Sequence, residues 1–326
     1  MSESPVCLAC HQSLSGPPLV ASTFSYLEGE ARREWRFELL RCGGCGMGRL
    51  TPAPSVAALH ALYSNGYDAY CGDADGAAGS PGRRVKVLIS RLYAAALRSD
   101  HLAQQQALRL LTTALEVAGG RSVPLTASVP LTYATDAAIL DFGCGAGFWL
   151  LAMRHHGYEN LSAFDIGQPA LEKLSALGIR CFADHPAQLP AATFDCIRME
   201  HVLEHLTDPV DSLAMLRGKL TPRGTIVLTV PNYGSASARR LGESWRALKL
   251  PHHLSHFTIT ALQRVAQQAG FQIKRTRFLP ISELAVPRPR GGAVAKLGWR
   301  AKRIAYHARA INSPSAEYLG VELEQR

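Results

Sequence analysis

Short apolar runs alternate with amphipathic segments from about residue 137 to 280. The apolar runs are AAILDFG, LSAFDI, IRCFAD, FDCIRM, GTIVLTVP and FQIKRTRFL, and the amphipathic segments between them are GFWLLAMRHHG, QPALEKLSALG, DPVDSLAMLRGKL and TALQRVAQQAG. Strands that alternate with helices of about 10–15 residues indicate a parallel sheet with helices on both faces. Right-handed crossovers make such a sheet doubly wound, so the sequence predicts an α/β fold.

The rest of the chain divides into three further zones. Residues 1–50 carry two cysteine pairs around a predicted hairpin, and residues 51–130 read as a helical linker or cap. Residues 131–281 form the predicted α/β core, and 282–326 a basic extension with a helical pattern. The sequence therefore predicts a core with a small N-terminal module and a C-terminal tail.

Composition places the chain among ordinary globular proteins. Of its 326 residues, 47% are hydrophobic and 19% charged, which argues against a disordered or disulfide-scaffold protein. The net charge of +9 favours anionic partners, namely nucleic acid, phosphorylated substrates or membrane headgroups; a simple solubility surplus is the alternative. No apolar run is long enough for a membrane-spanning helix, and no secretory signal is visible, so we expect a cytoplasmic protein with reduced cysteines.

The basic tail offers one route to a membrane. The segment from Phe271 to Arg309 contains ten Lys and Arg residues and one acidic residue, Glu283. Apolar residues are interspersed among them, namely Leu297, Trp299, Ile304 and Tyr306. Such a segment is typical of a helix lying on an anionic membrane surface. A packed C-terminal helix is the alternative.

A glycine-rich loop follows the first predicted strand of the core. Gly143, Gly145 and Gly147 come directly after Asp141 and Phe142 and open a helix, and Cys144 lies between the glycines. The third glycine of a dinucleotide fingerprint is absent, which disfavours a pyrophosphate. A carboxylate just before the loop would suit a cationic nucleoside ligand. Asp165 closes the next strand, where a carboxylate can accept ribose hydroxyls.

The blocks LDFGCGAG, FDI and FDCIRMEHVLEHLTDPV resemble class I S-adenosylmethionine-dependent methyltransferases, and PNYGSASARRLGESWRALKLPHHLSHFT resembles the subset that acts on small molecules, sugars and quinone precursors. The resemblance implies a mostly parallel seven-stranded Rossmann-like sheet with S-adenosylmethionine as cofactor. It implies the following cofactor-binding residues: Asp141, Phe142, Gly143, Cys144, Gly145, Gly147, Asp165, Ile166, Asp184 and Glu200.

Histidines supply the candidate chemistry. If the segment after Glu200 is helical, His201, Glu204 and His205 share one face, where His201 could accept a substrate proton. The alternative is that Glu204 and His205 only hold the segment in place. Similar quinone O-methyltransferases carry a divalent metal here, with Glu in place of His201. His252, His253 and His256 could bind zinc, act as a base or bind phosphate. Tyr233 and Trp245 would form apolar walls of the same site. The catalytic candidates are therefore His201, His205, His252 and His256.

Two cysteine pairs predict a metal site in the first zone. Cys7 and Cys10, and Cys42 and Cys45, form two C-x2-C pairs that suit a tetrahedral structural zinc ion. Four free thiols are the alternative. The segment resembles the zinc-ribbon-like module that precedes some methyltransferases of sugar pathways.

We therefore predict an enzyme that transfers a methyl group to a hydroxyl or activated carbon of a small metabolite, sugar or lipid-linked glycan precursor. A methyltransferase that binds RNA through its zinc ribbon is one alternative, although nucleic acid is not the partner we expect. A non-catalytic scaffold that binds the cofactor is another.

Overall fold

The computed structural model describes residues 5–64, 133–155, 157–183, 185–280, 292–310 and 313–326. Asp184 and most of the predicted linker, residues 65–130, lie outside these ranges. The described residues contain two sheets. One has seven strands and holds the core, and the other has four strands and is built mainly from the N-terminal zone.

The seven-stranded sheet has the order β10-β11-β8-β7-β4-β5-β6. The five strands from β8 to β6 are parallel, and β11 pairs antiparallel with both β8 and β10, so β11 alone runs against the other six strands of this sheet. Its strands are β4 (Ile139–Phe142), β5 (Leu161–Phe164), β6 (Arg180–Phe182), β7 (Phe194–Glu200), β8 (Leu220–Pro231), β10 (Phe271–Leu279) and β11 (Tyr318–Gln325). This confirms the predicted doubly wound, mostly parallel fold.

The described helices of the core region begin at residues that favour helix starts. Asp208 and Thr258 accept hydrogen bonds from backbone N–H groups of the first turn, which is the usual role of an N-cap side chain. The helices are α1 (Val56–Ser64), α2 (Phe148–His155), α3 (Gln168–Ala176), α4 (Pro209–Arg217), α5 (Ala236–Leu241), α6 (Ile259–Gln268) and α7 (Ala293–Ala310). None of the helices in the described ranges is long and apolar enough to cross a membrane.

The seventh strand comes from the C-terminal tail, which the sequence predicts as a helical extension. After α7, residues Tyr318–Gln325 insert as β11 between β10 and β8. Leu319, Val321 and Leu323 are fully or almost fully buried, so alternate positions of the strand complete the core. A domain boundary at residue 281 would therefore separate a central strand from its own sheet.

The second sheet joins the N-terminal zone to the core. Its order is β1 (Val20–Glu28), β2 (Ala31–Arg41), β3 (Gly48–Thr51) and β9 (Ser255–His256), all antiparallel. The β1–β2 pair is the predicted hairpin. Because β9 belongs to the PHHLSHFT segment, the N-terminal zone and the histidine-rich loop share one sheet.

Candidate functional site

The glycine loop after β4 is closely packed at Gly143 and Gly147, where a side chain would clash with its neighbours. Gly143, Gly145 and Gly147 have φ values of 78°, 52° and 74°, in the region that favours glycine. A Cβ atom on Gly143 would lie 2.4 Å from Val202 Cγ2, and one on Gly147 would lie 2.5 Å from Leu174 Cδ2. The loop is therefore held between the turn after β7 and helix α3.

Asp165 follows β5 and holds the loop. One carboxylate oxygen accepts a hydrogen bond from the Gly145 N–H at 2.7 Å, and the other accepts from the Gly167 N–H at 2.9 Å. The next residue, Ile166, is 57% exposed. A carboxylate and an apolar surface thus lie together at the carboxyl edge of the parallel strands, where ligands bind in such sheets.

Asp141 has a partner that sequence reasoning missed. Its Oδ1 lies 2.7 Å from Arg198 Nη1, and Arg198 Nη2 lies 3.4 Å from Glu200 Oε2. The Arg198 guanidinium also stacks over the Trp149 ring at 4.7 Å. Burial raises the pKa of the Asp141 carboxyl, and Arg198 opposes that rise. The signal for this pair was present, since arginine is the one charged residue inside the apolar run CIRM.

This ion pair changes the role expected of Asp141. Asp141 is fully buried, so its charge is matched inside the protein by Arg198 and does not act alone on a ligand. Phe142 is also buried and stacks on Phe164, with ring centroids 4.6 Å apart, so its side chain belongs to the core. Cys144 is partly buried, and burial raises the pKa of its thiol, which keeps it protonated.

The segment after β7 is not an α-helix, contrary to the arrangement considered from the sequence. His201 has φ 54°, and a short 3-10 turn spans Leu203–His205. The left-handed backbone at His201 turns the chain out of the strand, so periodicity over such a short segment misled the prediction. His201 and Glu204 still meet, with Nδ1 and Oε1 3.0 Å apart.

His201 remains the accessible histidine of this turn. Its side chain is 31% exposed and packs edge-on against Tyr318 of β11, at 4.5 Å between ring centroids. Burial would lower its pKa, but the hydrogen bond and charge of Glu204 outweigh that and raise it. In contrast, burial lowers the pKa of His205 to about 4.

The three histidines of the PHHLSHFT segment have different environments. His253 and His256 are 5% and 3% exposed, and each bonds a backbone carbonyl, that of Ala247 and that of Leu248. His252 is half-buried and packs edge-on against Tyr63. Only His252 of the three has substantial exposed surface, so His256 lacks the access that a group touching substrate needs.

A cavity of about 350 Å³ lies between the segment before β1 and the residues that follow β8. Tyr233, Arg41 and Arg239 line it. The Arg41 guanidinium lies over the Tyr233 ring at 5.2 Å. Tyr233 thus lines a cavity, whereas Trp245 is 1% exposed and is not among the lining residues.

The four predicted metal ligands lie together in the N-terminal zone. The Cys7 and Cys45 sulfurs are 3.5 Å apart, those of Cys10 and Cys42 are 3.4 Å apart, and all four lie within 4.8 Å of one another. Burial would raise the pKa of Cys42, but the Cys45 N–H and the Cys10 thiol lower it to about 7. The cluster is compatible with a small zinc module.

A family model described as a methyltransferase domain matches residues 100–276, more than half of the chain. The chain belongs to this methyltransferase family. The match covers the glycine loop, Asp165 and the turn after β7. Together with the Rossmann-like sheet, it confirms the methyltransferase class predicted from the sequence.

Curated relatives are similar to this methyltransferase over shorter stretches. An uncharacterized methyltransferase of Mycobacterium bovis is 32% identical over 114 residues, covering 32% of this chain and 54% of that protein. A tRNA U34 carboxymethyltransferase of Shewanella loihica is 30% identical over 102 residues, covering 28% and 31%. A ribosomal protein L11 methyltransferase of Bordetella parapertussis is 34% identical over 98 residues, covering 28% and 31%. The chain thus spans about a third to a half of these relatives.

Two of the solved structures to which the chain is similar are named as methyltransferases. A SAM-dependent methyltransferase from Archaeoglobus fulgidus is 18% identical, with a TM-score of 0.43, covering 67% of this chain and 94% of that one. The 1,6-didemethyltoxoflavin-N1-methyltransferase of Burkholderia thailandensis, with bound S-adenosylhomocysteine, is 18% identical with a TM-score of 0.38, covering 77% and 93%.

Proposed function

We propose that the edge formed by β4, β5 and β7 binds S-adenosylmethionine and that His201 accepts a proton from a small or lipid-linked acceptor. The observation that carries this proposal is the arrangement of Gly143, Gly147 and Asp165. Two positions that exclude a side chain and one buried carboxylate meet where a parallel sheet opens its ligand crevice. The cofactor, when bound, supplies the methyl group.

Asp165 is the proposed ribose ligand. Its two oxygens already accept hydrogen bonds from Gly145 and Gly167, and each carboxylate oxygen has a second lone pair. It can therefore hold the loop and accept ribose hydroxyls at once. The exposed Ile166 offers an apolar surface for the adenine ring, and α2 begins directly after the glycine loop. Glycines 143, 145 and 147 let backbone approach the ligand.

We place the methyl acceptor beside His201 at the end of β7. Because Glu204 bonds Nδ1, it fixes the ring and leaves Nε2 for the acceptor. The proton would pass from an acceptor hydroxyl or activated carbon to Nε2. Alignment of the acceptor with the methyl group accounts for most of the expected acceleration, and a positioned base adds about 10²–10⁴-fold.

The cavity lined by Tyr233 favours a small acceptor with an anionic group. Tyr233 follows β8, which is parallel to β7, so the cavity lies toward the same edge of the sheet as His201. Its volume is within the range of small-molecule sites, and two arginine side chains line it. The competing outcome of the test is methylation of RNA or protein, because the names of two relatives refer to tRNA and to a ribosomal protein.

We also propose that Cys7, Cys10, Cys42 and Cys45 hold a structural zinc ion. Thiolates on tetrahedral zinc at about 2.3 Å lie roughly 3.8 Å apart, close to the sulfur separations here. The ion would join the start of the chain to the turn before β3. Gln268 of α6 bonds the carbonyls of Leu8 and Ala9, so the zinc module and the core would then form one unit.

We also propose that α7 makes peripheral contact with an anionic membrane. The supporting observation is that Leu297 is 68% exposed on this basic helix. Co-sedimentation with anionic vesicles tests it, with neutral vesicles as the control. Equal sedimentation with both would count against it.

The cofactor site is tested by calorimetric titration of the full chain with S-adenosylmethionine. We expect D165A to lose at least tenfold in affinity. D195N is the matched control, because Asp195 also accepts a hydrogen bond from a backbone N–H, that of Ala138, but lies at the start of β7, at the opposite edge of the sheet. Equal binding by wild type and D165A would refute the site.

The acceptor and the base are tested together. Labelled S-adenosylmethionine is incubated with the enzyme and with separate metabolite, lipid, RNA and protein fractions. We expect label in the metabolite or lipid fraction, and at least a hundredfold slower transfer by H201N with cofactor affinity unchanged. Label confined to RNA or protein would contradict the proposed acceptor class. An unchanged rate of transfer in H201N would show that His201 is not the base.

A further inference from the structure

Three potential metal ligands converge behind His201, apart from the cysteine cluster. Glu204 and His205 belong to the 3-10 turn after β7, and His253 belongs to the loop before β9. One ligand-type atom of each lies within 4.8 Å of those of the other two. Glu204 and His253 are 1% and 5% exposed, so the cluster is enclosed by protein.

A backbone carbonyl fixes the tautomer of His253, and His205 Nδ1 has two oxygen partners. His205 Nδ1 lies 3.0 Å from the His252 carbonyl oxygen and 2.9 Å from the Tyr63 hydroxyl oxygen, and His253 Nδ1 lies 2.9 Å from the Ala247 carbonyl oxygen. Because a carbonyl oxygen only accepts, Nδ1 carries the proton in the His253 ring and its Nε2 presents a lone pair. Histidines that ligate metals are held in this way, with the other ring N–H donated to a carbonyl or carboxylate.

Glu204 supplies a carboxylate oxygen that the fold does not use. Its Oε1 is bonded to His201, whereas its buried Oε2 has no hydrogen-bond partner among the described residues. A buried polar atom without a hydrogen-bond partner costs free energy, so a bound ion or water is expected beside it.

We propose that Glu204, His205 and His253 bind one divalent transition-metal ion, with zinc as the best match. Two imidazoles and one carboxylate form a known zinc ligand set. Ligand atoms at about 2.0–2.1 Å from a tetrahedral ion lie roughly 3.4 Å apart, so the cluster would close by at most about 1.4 Å on binding. The ion would connect the turn after β7 to the loop before β9. His201 stays outside the set, on the other oxygen of Glu204.

This inference does not rest on methyl transfer, so metal content alone tests it. The full chain is stripped with a chelator, loaded with zinc, desalted and measured by mass spectrometry of the metal. We expect two equivalents in the wild type, one for the cysteine cluster and one for this site. H253Q and E204Q should each retain one.

The matched control is H252Q, which removes the adjacent ring but keeps the backbone carbonyl that bonds His205. It should retain both equivalents. H253D replaces one ligand by another and should also retain both, which separates loss of a ligand from loss of folding. Circular dichroism melting of each variant checks the fold.

Three results would overturn the proposal. One is a single equivalent in the wild type, removed by C42S, which assigns all the metal to the cysteines. Another is a second equivalent that survives in both H253Q and E204Q, which places it elsewhere. A second equivalent that desalting removes from the wild type counts as surface binding and equally overturns the site.

Discussion

Replacing Arg198 by methionine is expected to destabilise the protein strongly, because it leaves the Asp141 carboxylate buried without its cation. The two side chains are 5% and 1% exposed and their charged atoms are 2.7 Å apart. With an effective dielectric constant of about 20, Coulomb's law gives about 6 kcal/mol of gross attraction at the observed 2.7 Å. Part of this only offsets desolvation, so we expect R198M to lower the unfolding free energy by about 3–5 kcal/mol.

A double-mutant cycle isolates this interaction. D141N removes the charge with little change in shape, so R198M should cost about 2–3 kcal/mol less in a D141N background than in the wild type. Urea unfolding of the four proteins, followed by circular dichroism, measures the cycle. Glu200 also contacts Arg198, but its 3.4 Å pairing is present in both backgrounds and cancels.

The pH dependence supplies a second check on the same pair. Without Arg198, the pKa of Asp141 in the folded state rises further above its unfolded value, because burial then acts unopposed. The stability of R198M is therefore greatest below the unfolded pKa of about 4 and falls, relative to wild type, as the pH rises. Equal costs of R198M in both backgrounds, or a gap that narrows with rising pH, would refute the reasoning.

Three further predictions follow from other parts of the structure. G147A should weaken cofactor binding at least tenfold in calorimetry, because its Cβ meets Leu174 at a positive φ, whereas G157A, in open space at a positive φ, should bind normally. C42S should release zinc and lower the melting temperature by several degrees, and an unchanged metal content would contradict this. Burial lowers the pKa of His256, which lies near Glu204 and His205, to about 4. Protonation of His256 should therefore lower the free energy of unfolding by about 3 kcal/mol as the pH drops from 6.5 to 4. H256Q should flatten that slope in acid titrations followed by fluorescence, and an unchanged slope would exclude His256 as its source.

The parallel part of the sheet could be predicted because its information is local. AAILDFG and GTIVLTVP are apolar over the whole length of a strand, and glycines mark where helices begin or end. The β1–β2 hairpin was predictable for the same reason, since two strand-like runs flank Gly29. Strand β11 was missed because its sequence, YLGVELEQ, mixes apolar and acidic residues and follows a basic helical tail.

The candidate site was predicted unevenly. The glycine loop and Asp165 are recognisable from spacing alone, whereas the turn at His201 was not, because a single left-handed residue breaks the helical spacing of HVLEH. Likewise, nothing in the sequence pairs His253 with Glu204, which lie 49 positions apart and meet where the Leu254 N–H donates to the Glu204 carbonyl oxygen.

By itself, the sequence determined the doubly wound core, the glycine loop, the two cysteine pairs and the methyltransferase class. Each of these depends on spacing within a few residues, which backbone geometry converts directly into structure. Only the tertiary structure decided that Arg198 neutralises Asp141, that the tail completes the sheet, and that two histidines surround Glu204. Those features join segments far apart in the chain, and burial and charge pairing across such distances leave no local pattern.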